Sequence, residues 1–217
     1  RLLNARANIM FKPFTKFITA LAAVLIIAGC SETDEPQQGV QYEALPAALT
    51  EFNLSPITEI FSLNCGHCRQ MESAIPEIES LTDQKIGKVH VTFNESAQIS
   101  AMIYYTAVMQ LDATPDHAFM DDLFGAVQMG ADATPEQRQQ ALETAFTSRG
   151  LVSPYQLNKE QQVALFDFIK KAEEISVKGQ INSVPTFIIN GKYQVLTAGH
   201  QDVQGIAKTI NYLLTQP

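Results

Sequence analysis

The chain has 217 residues, 46% of them hydrophobic, which suits one domain or one domain with a sizeable insertion and excludes global disorder. Fifteen Lys and Arg face 23 Asp and Glu, a formal charge of −8. That balance argues against nucleic acid as a partner, because such binding needs clustered cations, and three cysteines are too few for a disulfide scaffold or a four-cysteine metal site.

The N-terminus reads as an export signal. The chain opens on Arg1, and Met10 is the expected true start, with Lys12 and Lys16 as its basic region. Ile18 to Gly29 is an apolar run too short to span a bilayer as a mature helix. It ends in Ile27-Ala28-Gly29-Cys30, which resembles a bacterial lipobox. There the cysteine takes a lipid and becomes the mature N-terminus; the alternative is an ordinary secreted protein with a chance cysteine. Residues 1–29 are thus expected to be signal peptide. Residues 30–41 are expected to be a lipidated N-terminus on a polar, acidic tether that holds the protein to a membrane. Ser31 resembles the outer-membrane sorting pattern of Gram-negative lipoproteins. Removing residues 1–29 takes Arg1, Arg6, Lys12 and Lys16 and no acid, so the charge falls from −8 to −12. An exported chain meets an oxidising environment in which disulfides persist.

Ile57 to Leu63 is a β-rich run that feeds directly into Cys65. From Gly66 to about Thr82 the pattern turns helical, with Met71, Ile75, Ile78 and Leu81 three or four apart and Pro76 inside. Lys88 to Phe93 is a second strand. Ile99, Ile103, Ala107 and Leu111 mark the next helix. Thr114-Pro115, Thr134-Pro135-Glu136-Gln137 and Ser153-Pro154-Tyr155-Gln156 read as helix starts with Pro at the first turn, the last two as capping boxes. Leu165, Phe168, Ile169, Ala172 and Ile175 mark a further helix. Strand returns at Thr186 to Ile189, and Asn190-Gly191 signals a hairpin into Lys192 to Leu196. An amphipathic helix from about Asp202 to Leu214 closes the chain. About 90 residues separate the second strand from Pro185, far more than a crossover helix needs, so an inserted helical subdomain is expected. Tyr104, Tyr105, Met109, Phe166 and Phe168 are expected in the core, and His90 in a structural place on its strand.

Cys65-Gly66-His67-Cys68 sits where a strand meets the start of a helix. The thiolate is the nucleophile in disulfide exchange, and free cysteine is mostly protonated near neutral pH. At a helix N-terminus the unpaired N–H groups and the macrodipole favour negative charge, and His67 adds to that. Cys65 is therefore expected to be exposed and acidic. Cys68, three residues on, shares the helix face and is expected to be buried and to act as the resolving thiol. The alternatives are a static disulfide or half of a zinc site. The latter wants two more ligands, and His90, His117 and His200 show no ligand-like spacing, so no metal is expected. Val184-Pro185-Thr186, just before a strand, is either an edge-strand start or a cis-Pro loop facing the cysteines. In the second case its backbone would pair with an extended substrate peptide.

Three segments together resemble the DsbA family of bacterial thiol:disulfide interchange proteins: Glu59 to Glu72 (EIFSLNCGHCRQME), Lys88 to Phe93 (KVHVTF) and Ser183 to Val195 (SVPTFIINGKYQV). The resemblance spans about Tyr42 to the C-terminus. It implies an α/β, thioredoxin-like fold with an inserted helical subdomain. Residues 42–95 and 180–217 would form the thioredoxin-like part and 96–179 the insert. It also implies that Glu59 is a buried acid beneath the cysteines and Lys88 its cationic partner. Such an acid would have a raised pKa and could exchange a proton with Cys68. Read without the resemblance, both residues would face solvent.

Gly66-His67 departs from the Pro-His of the best-known DsbA proteins and resembles protein disulfide isomerase. The expected poise moves from ~−120 mV toward ~−180 mV, a gap of about 2.8 kcal/mol. Val184 before Pro185 resembles the oxidase members and pulls the other way. The reading is an enzyme without metal or organic cofactor that introduces disulfides into exported proteins. By resemblance, a DsbB-like quinone-linked membrane protein would reoxidise it. A monomer is expected. The alternatives are an isomerase or reductase, or a peptide-binding, chaperone-like module with an inert disulfide.

Overall fold

The computed structural model describes residues 35–217; the expected signal segment and Cys30 lie outside the described residues. A five-stranded sheet forms the centre. Strand β1 (Tyr42–Ala44) is followed by β2 (Ile57–Phe61), helix α1 (Gly66–Thr82) and β3 (Ile86–His90). Four helices come next: α2 (Glu95–Leu111), α3 (His117–Val127), α4 (Pro135–Thr147) and α5 (Lys159–Lys178). Strands β4 (Thr186–Ile189) and β5 (Tyr193–Val195) and helix α6 (Val203–Leu214) complete the chain. The sheet order is β1-β5-β4-β2-β3, parallel only between β2 and β3, where α1 is the crossover.

Every residue of β2 and β4 is buried, as inner strands covered on both faces require. The period of two along β4 sorts its side chains. Phe187 and Ile189 pack with Ile75 and Ile78 of α1 and with Ile206, Ile210 and Leu213 of α6. Ile188 points into the other cluster, with Tyr104, Tyr105, Phe124 and Leu165. Each such side chain, fully buried, contributes about 1.5–3 kcal/mol. The β4–β5 turn follows the Asn190-Gly191 signal: both residues have positive φ, 51° and 66°, and the Lys192 amide donates to the Ile189 carbonyl at 2.9 Å.

Several local expectations are corrected. Strand β2 ends at Phe61 and β3 spans Ile86–His90, because their mutual register stops at Phe61 and His90. β5 keeps only Tyr193–Val195 of the expected run. Helix α3 is capped by Asp116, whose carboxylate accepts the Phe119 amide at 2.8 Å, and not by Thr114. Thr134 does form its capping box. Ser153-Pro154 opens only a single 3-10 turn without a side-chain cap, and α5 starts later at a capping box of Asn158 and Gln161. Leu81, Ile99 and Leu111 mark helix periodicity but lie exposed, as does Phe166 at 73%; Tyr104 and Tyr105 are buried as expected. The α1 and α2 stripes are narrower than their apolar residues suggested, because only one side of each helix meets the sheet or a neighbouring helix. His90 is fully buried: its Nε2 accepts the Leu63 amide at 2.9 Å and its Nδ1 lies 2.7 Å from the Val91 carbonyl. Burial holds its pKa down to about 4, so it is a neutral fixture.

Candidate active site

Helix α1 starts because Cys65 is its N-cap. Cys65 has extended backbone, φ −96° and ψ 117°, and its Sγ accepts the Cys68 amide at 3.1 Å. Gly66 follows with open space where a Cβ would stand. Cys65 is half-buried, Cys68 is buried, and both are free thiols. The sulfur thus meets the amides that a helix start leaves without internal partners. Its pKa is drawn down to about 6. The hydrogen bond from the Cys68 side chain contributes most, then the Cys68 and His67 amides and the His67 ring, against the opposing effect of burial. The same bond holds the Cys68 proton in place, and with burial it pushes that thiol well above its usual value.

The Val184–Pro185 peptide is cis, and Cys65 Sγ lies 3.9 Å from the Val184 carbonyl oxygen. The two segments, 119 residues apart, therefore meet. Thr197 Oγ1 donates to the Pro185 carbonyl at 3.0 Å, and Thr186 Oγ1 donates to the Val195 carbonyl at 2.6 Å. The Thr186 side chain is buried, so its contribution to this loop is to tie β4 to β5. A groove of about 560 Å³ runs beside the loop, lined by His67, Met71, Val184, Pro185, Thr197 and Val203 among others. An extended peptide laid there would pass Cys65.

Beneath the cysteines, Glu59 and Lys88 are register partners on the parallel strands β2 and β3 and form an ion pair. Their side chains are 1% and 2% exposed, so the solvent-facing alternative is excluded for both. Lys88 Nζ also lies 2.8 Å from Glu72 Oε2 on α1. Burial raises the Glu59 pKa more than Lys88 lowers it, and Glu59 in turn adds to the raised pKa of Cys68. Burial alone would push Lys88 down, but the charges of Glu59 and Glu72 win and hold it up.

Two residues of this site escaped the sequence reading. Glu72 stands four residues after Cys68 on the same helix face, and that spacing was the available signal. Gln128, just past α3, donates its Nε2 to the Leu63 carbonyl at 2.7 Å and the Cys65 carbonyl at 3.1 Å, pinning the loop before the helix. No sequence pattern announces it.

The model of the family described as Thioredoxin matches residues 54–211. The chain belongs to the thioredoxin family. Among relatives, the thiol:disulfide interchange protein DsbA of Pseudomonas syringae pv. tomato is 25% identical over 189 residues, covering 81% of this chain and 82% of the relative. DsbA of Pseudomonas aeruginosa is 22% identical over 204 residues, covering 91% and 93%. The crystal structure of Pseudomonas aeruginosa DsbA superposes with a TM-score of 0.65 at 21% identity, over 84% of this chain and 94% of that one. Proteus mirabilis DsbA in complex with a non-covalently bound peptide, PWATCDS, gives 0.58 at 18% identity, over 84% and 100%. Within the thioredoxin family the protein is therefore a DsbA-like thiol:disulfide oxidoreductase with the thioredoxin-like fold.

Proposed function

We propose that the Cys65–Cys68 pair introduces disulfides into exported proteins. The observation that carries this reading is the Cys65 sulfur, acidic at the N-cap of α1 and 3.9 Å from the carbonyl that precedes Pro185. In the oxidised form a substrate thiolate attacks Cys65 Sγ, the Cys65–Cys68 bond breaks, and Cys68 leaves as a thiolate that takes a proton from Glu59. A second substrate thiolate then attacks the substrate sulfur of the mixed disulfide. Cys65 departs as a stabilised thiolate, the substrate keeps the disulfide, and two electrons have passed to the enzyme. Low basicity makes Cys65 a good leaving group, which favours release of oxidised substrate. The groove at Val184-Pro185 would hold the substrate backbone, and the similar Proteus mirabilis protein binds a cysteine-containing peptide non-covalently.

Reoxidation falls to a DsbB-like quinone-linked membrane protein in this reading. The 42–95 and 180–217 segments serve as the catalytic half and 96–179 as the helical insert. Residues 1–29 serve as an export signal that is removed, and lipidated Cys30 then tethers a monomeric enzyme on the periplasmic side of the envelope. Labelled palmitate incorporated by the wild type and lost in Cys30→Ser tests the anchor. Among the described residues no helix is long and apolar enough to cross a membrane.

The decisive experiment is trapping in cells. Cys68→Ala should accumulate mixed disulfides with exported proteins through Cys65. Equal trapping by Cys65→Ala would reverse the two roles, and no trapping by either would leave a binding module. Gly66-His67 favours a second reading, an isomerase or reductase. A reduction potential near or below ~−270 mV would select it over the oxidase.

A further inference from the structure

The buried ion pair does not end at Lys88. Glu72 Oε1 lies 2.8 Å from His117 Nδ1, at the first residue of α3. His117 is 45% exposed, while Glu59, Lys88 and Glu72 are all 7% exposed or less. The four side chains thus stand in a row of ion-pair contacts that leads from the buried β2–β3 pair to the surface. His117 borders two solvent-facing cavities of about 390 and 430 Å³, the first of which reaches back to Lys88.

Charge counting gives the row a purpose. Two buried acids face one buried lysine, so one charge is left uncompensated, which a low-dielectric interior does not tolerate. A single extra proton restores balance, and it can rest at the inner end on Glu59 or at the outer end on His117. Glu59 Oε1 and Glu72 Oε2 are both buried and form no hydrogen bond among the described residues, although Glu72 Oε2 stands 2.8 Å from Lys88 Nζ, so each acid has room for that proton. The charged groups around His117 are Glu72 and Glu79 of α1, the latter 3.8 Å from Nε2, Asp116 beside it, Lys85, which pairs with Glu79, and, across the two cavities, Asp83 and Lys88.

We propose that His117 is the solvent outlet of a proton row, His117–Glu72–Lys88–Glu59, through which the Cys68 thiol exchanges its proton with water. This rests on the cysteine chemistry above but not on its direction. When the disulfide opens, Glu59 protonates the Cys68 thiolate and is reprotonated through Lys88 and Glu72, with His117 drawing the replacement from solvent. When the disulfide closes, Cys68 loses its proton to Glu59, and the surplus leaves by the same row. His117 touches no substrate and acts only through Glu72.

Closure isolates the step. Reduced protein mixed with glutathione disulfide first forms a Cys65–glutathione mixed disulfide. The Cys68 thiolate then attacks Cys65 Sγ and expels glutathione thiolate, and rapid-quench alkylation follows that second phase. His117→Ala and His117→Gln should slow closure roughly tenfold, less than the ~10²–10⁴ of a group acting directly on the reacting atoms. Added imidazole buffer should restore the rate in His117→Ala. Glu72→Gln should be slowed as much and not restored, because its break lies inside the fold. Wild-type closure rates in both His117 variants, or imidazole rescue of Glu72→Gln as complete as that of His117→Ala, would overturn the row. If glutathione closes the disulfide normally while dithiol substrates stay reduced, the oxidase reading fails and the row stands.

Discussion

The rim and the floor of the cysteine site treat the same chemical group in opposite ways. At the rim, Cys65 is half open to solvent, and the hydrogen bond from the Cys68 thiol together with the helix-start amides, none of which carries a charge, holds its pKa near 6. At the floor, Cys68 and Glu59 lie in the core, where burial drives both toward the protonated form. Three residues of helix thus separate a sulfur kept anionic from one kept neutral. The difference teaches that dipoles suffice at a surface, whereas the interior needs a proton in the right place and a lysine to hold the balance.

Breaking the rim should have the largest effect. Cys65→Ala removes the sulfur that the substrate thiolate attacks in the proposed reaction, and exchange with a model dithiol peptide should fall on the order of 10⁴-fold or more in a stopped assay. Breaking the floor comes next. Lys88→Met leaves Glu59 and Glu72 buried without their cation, and urea unfolding should report a loss of about 3–5 kcal/mol. Glu59→Gln in that background should recover part of it, since one of the two stranded charges is gone.

The pH dependence separates the two sites more finely. The Cys65 pKa is lower in the folded protein than its ordinary 9.0, so its stabilisation of the reduced form is fully present above pH 9 and is lost as pH falls through about 6. Thermal unfolding of reduced wild type should lose stability relative to Cys65→Ser over that window, and thiolate absorbance should titrate near 6. His67→Ala should raise that midpoint by less than roughly one unit, because His67 is exposed and its charge is screened. The smallest effect is expected far from both regions. Phe166→Ser, on the open side of α5, should change stability by no more than about 0.5 kcal/mol.

Features carried within a few residues were legible from the chain itself. The strand–Cys65–helix junction, the Asn190-Gly191 turn and the Thr134 cap each rest on backbone geometry and hydrogen bonds closed over three or four positions. Phe166 misled, because an aromatic in a helical pattern carries no label for which side of the helix meets a partner. Glu59 and Lys88 lay between: adjacency on β2 and β3 needed the register, and only the resemblance to a known family suggested it in advance.

By itself the amino-acid order determined the cysteine pair at a strand-to-helix junction and the Asn190-Gly191 turn, since each is written in short-range pattern, while it left Val184-Pro185 open between an edge strand and a cis-Pro loop. Tertiary structure alone decided that Glu72 and His117, 45 residues apart, extend the buried pair to the surface, and that Gln128 grips the loop at Cys65 from 63 residues away. Such contacts depend on how α1 and α3 pack together, and packing is settled by the whole core at once.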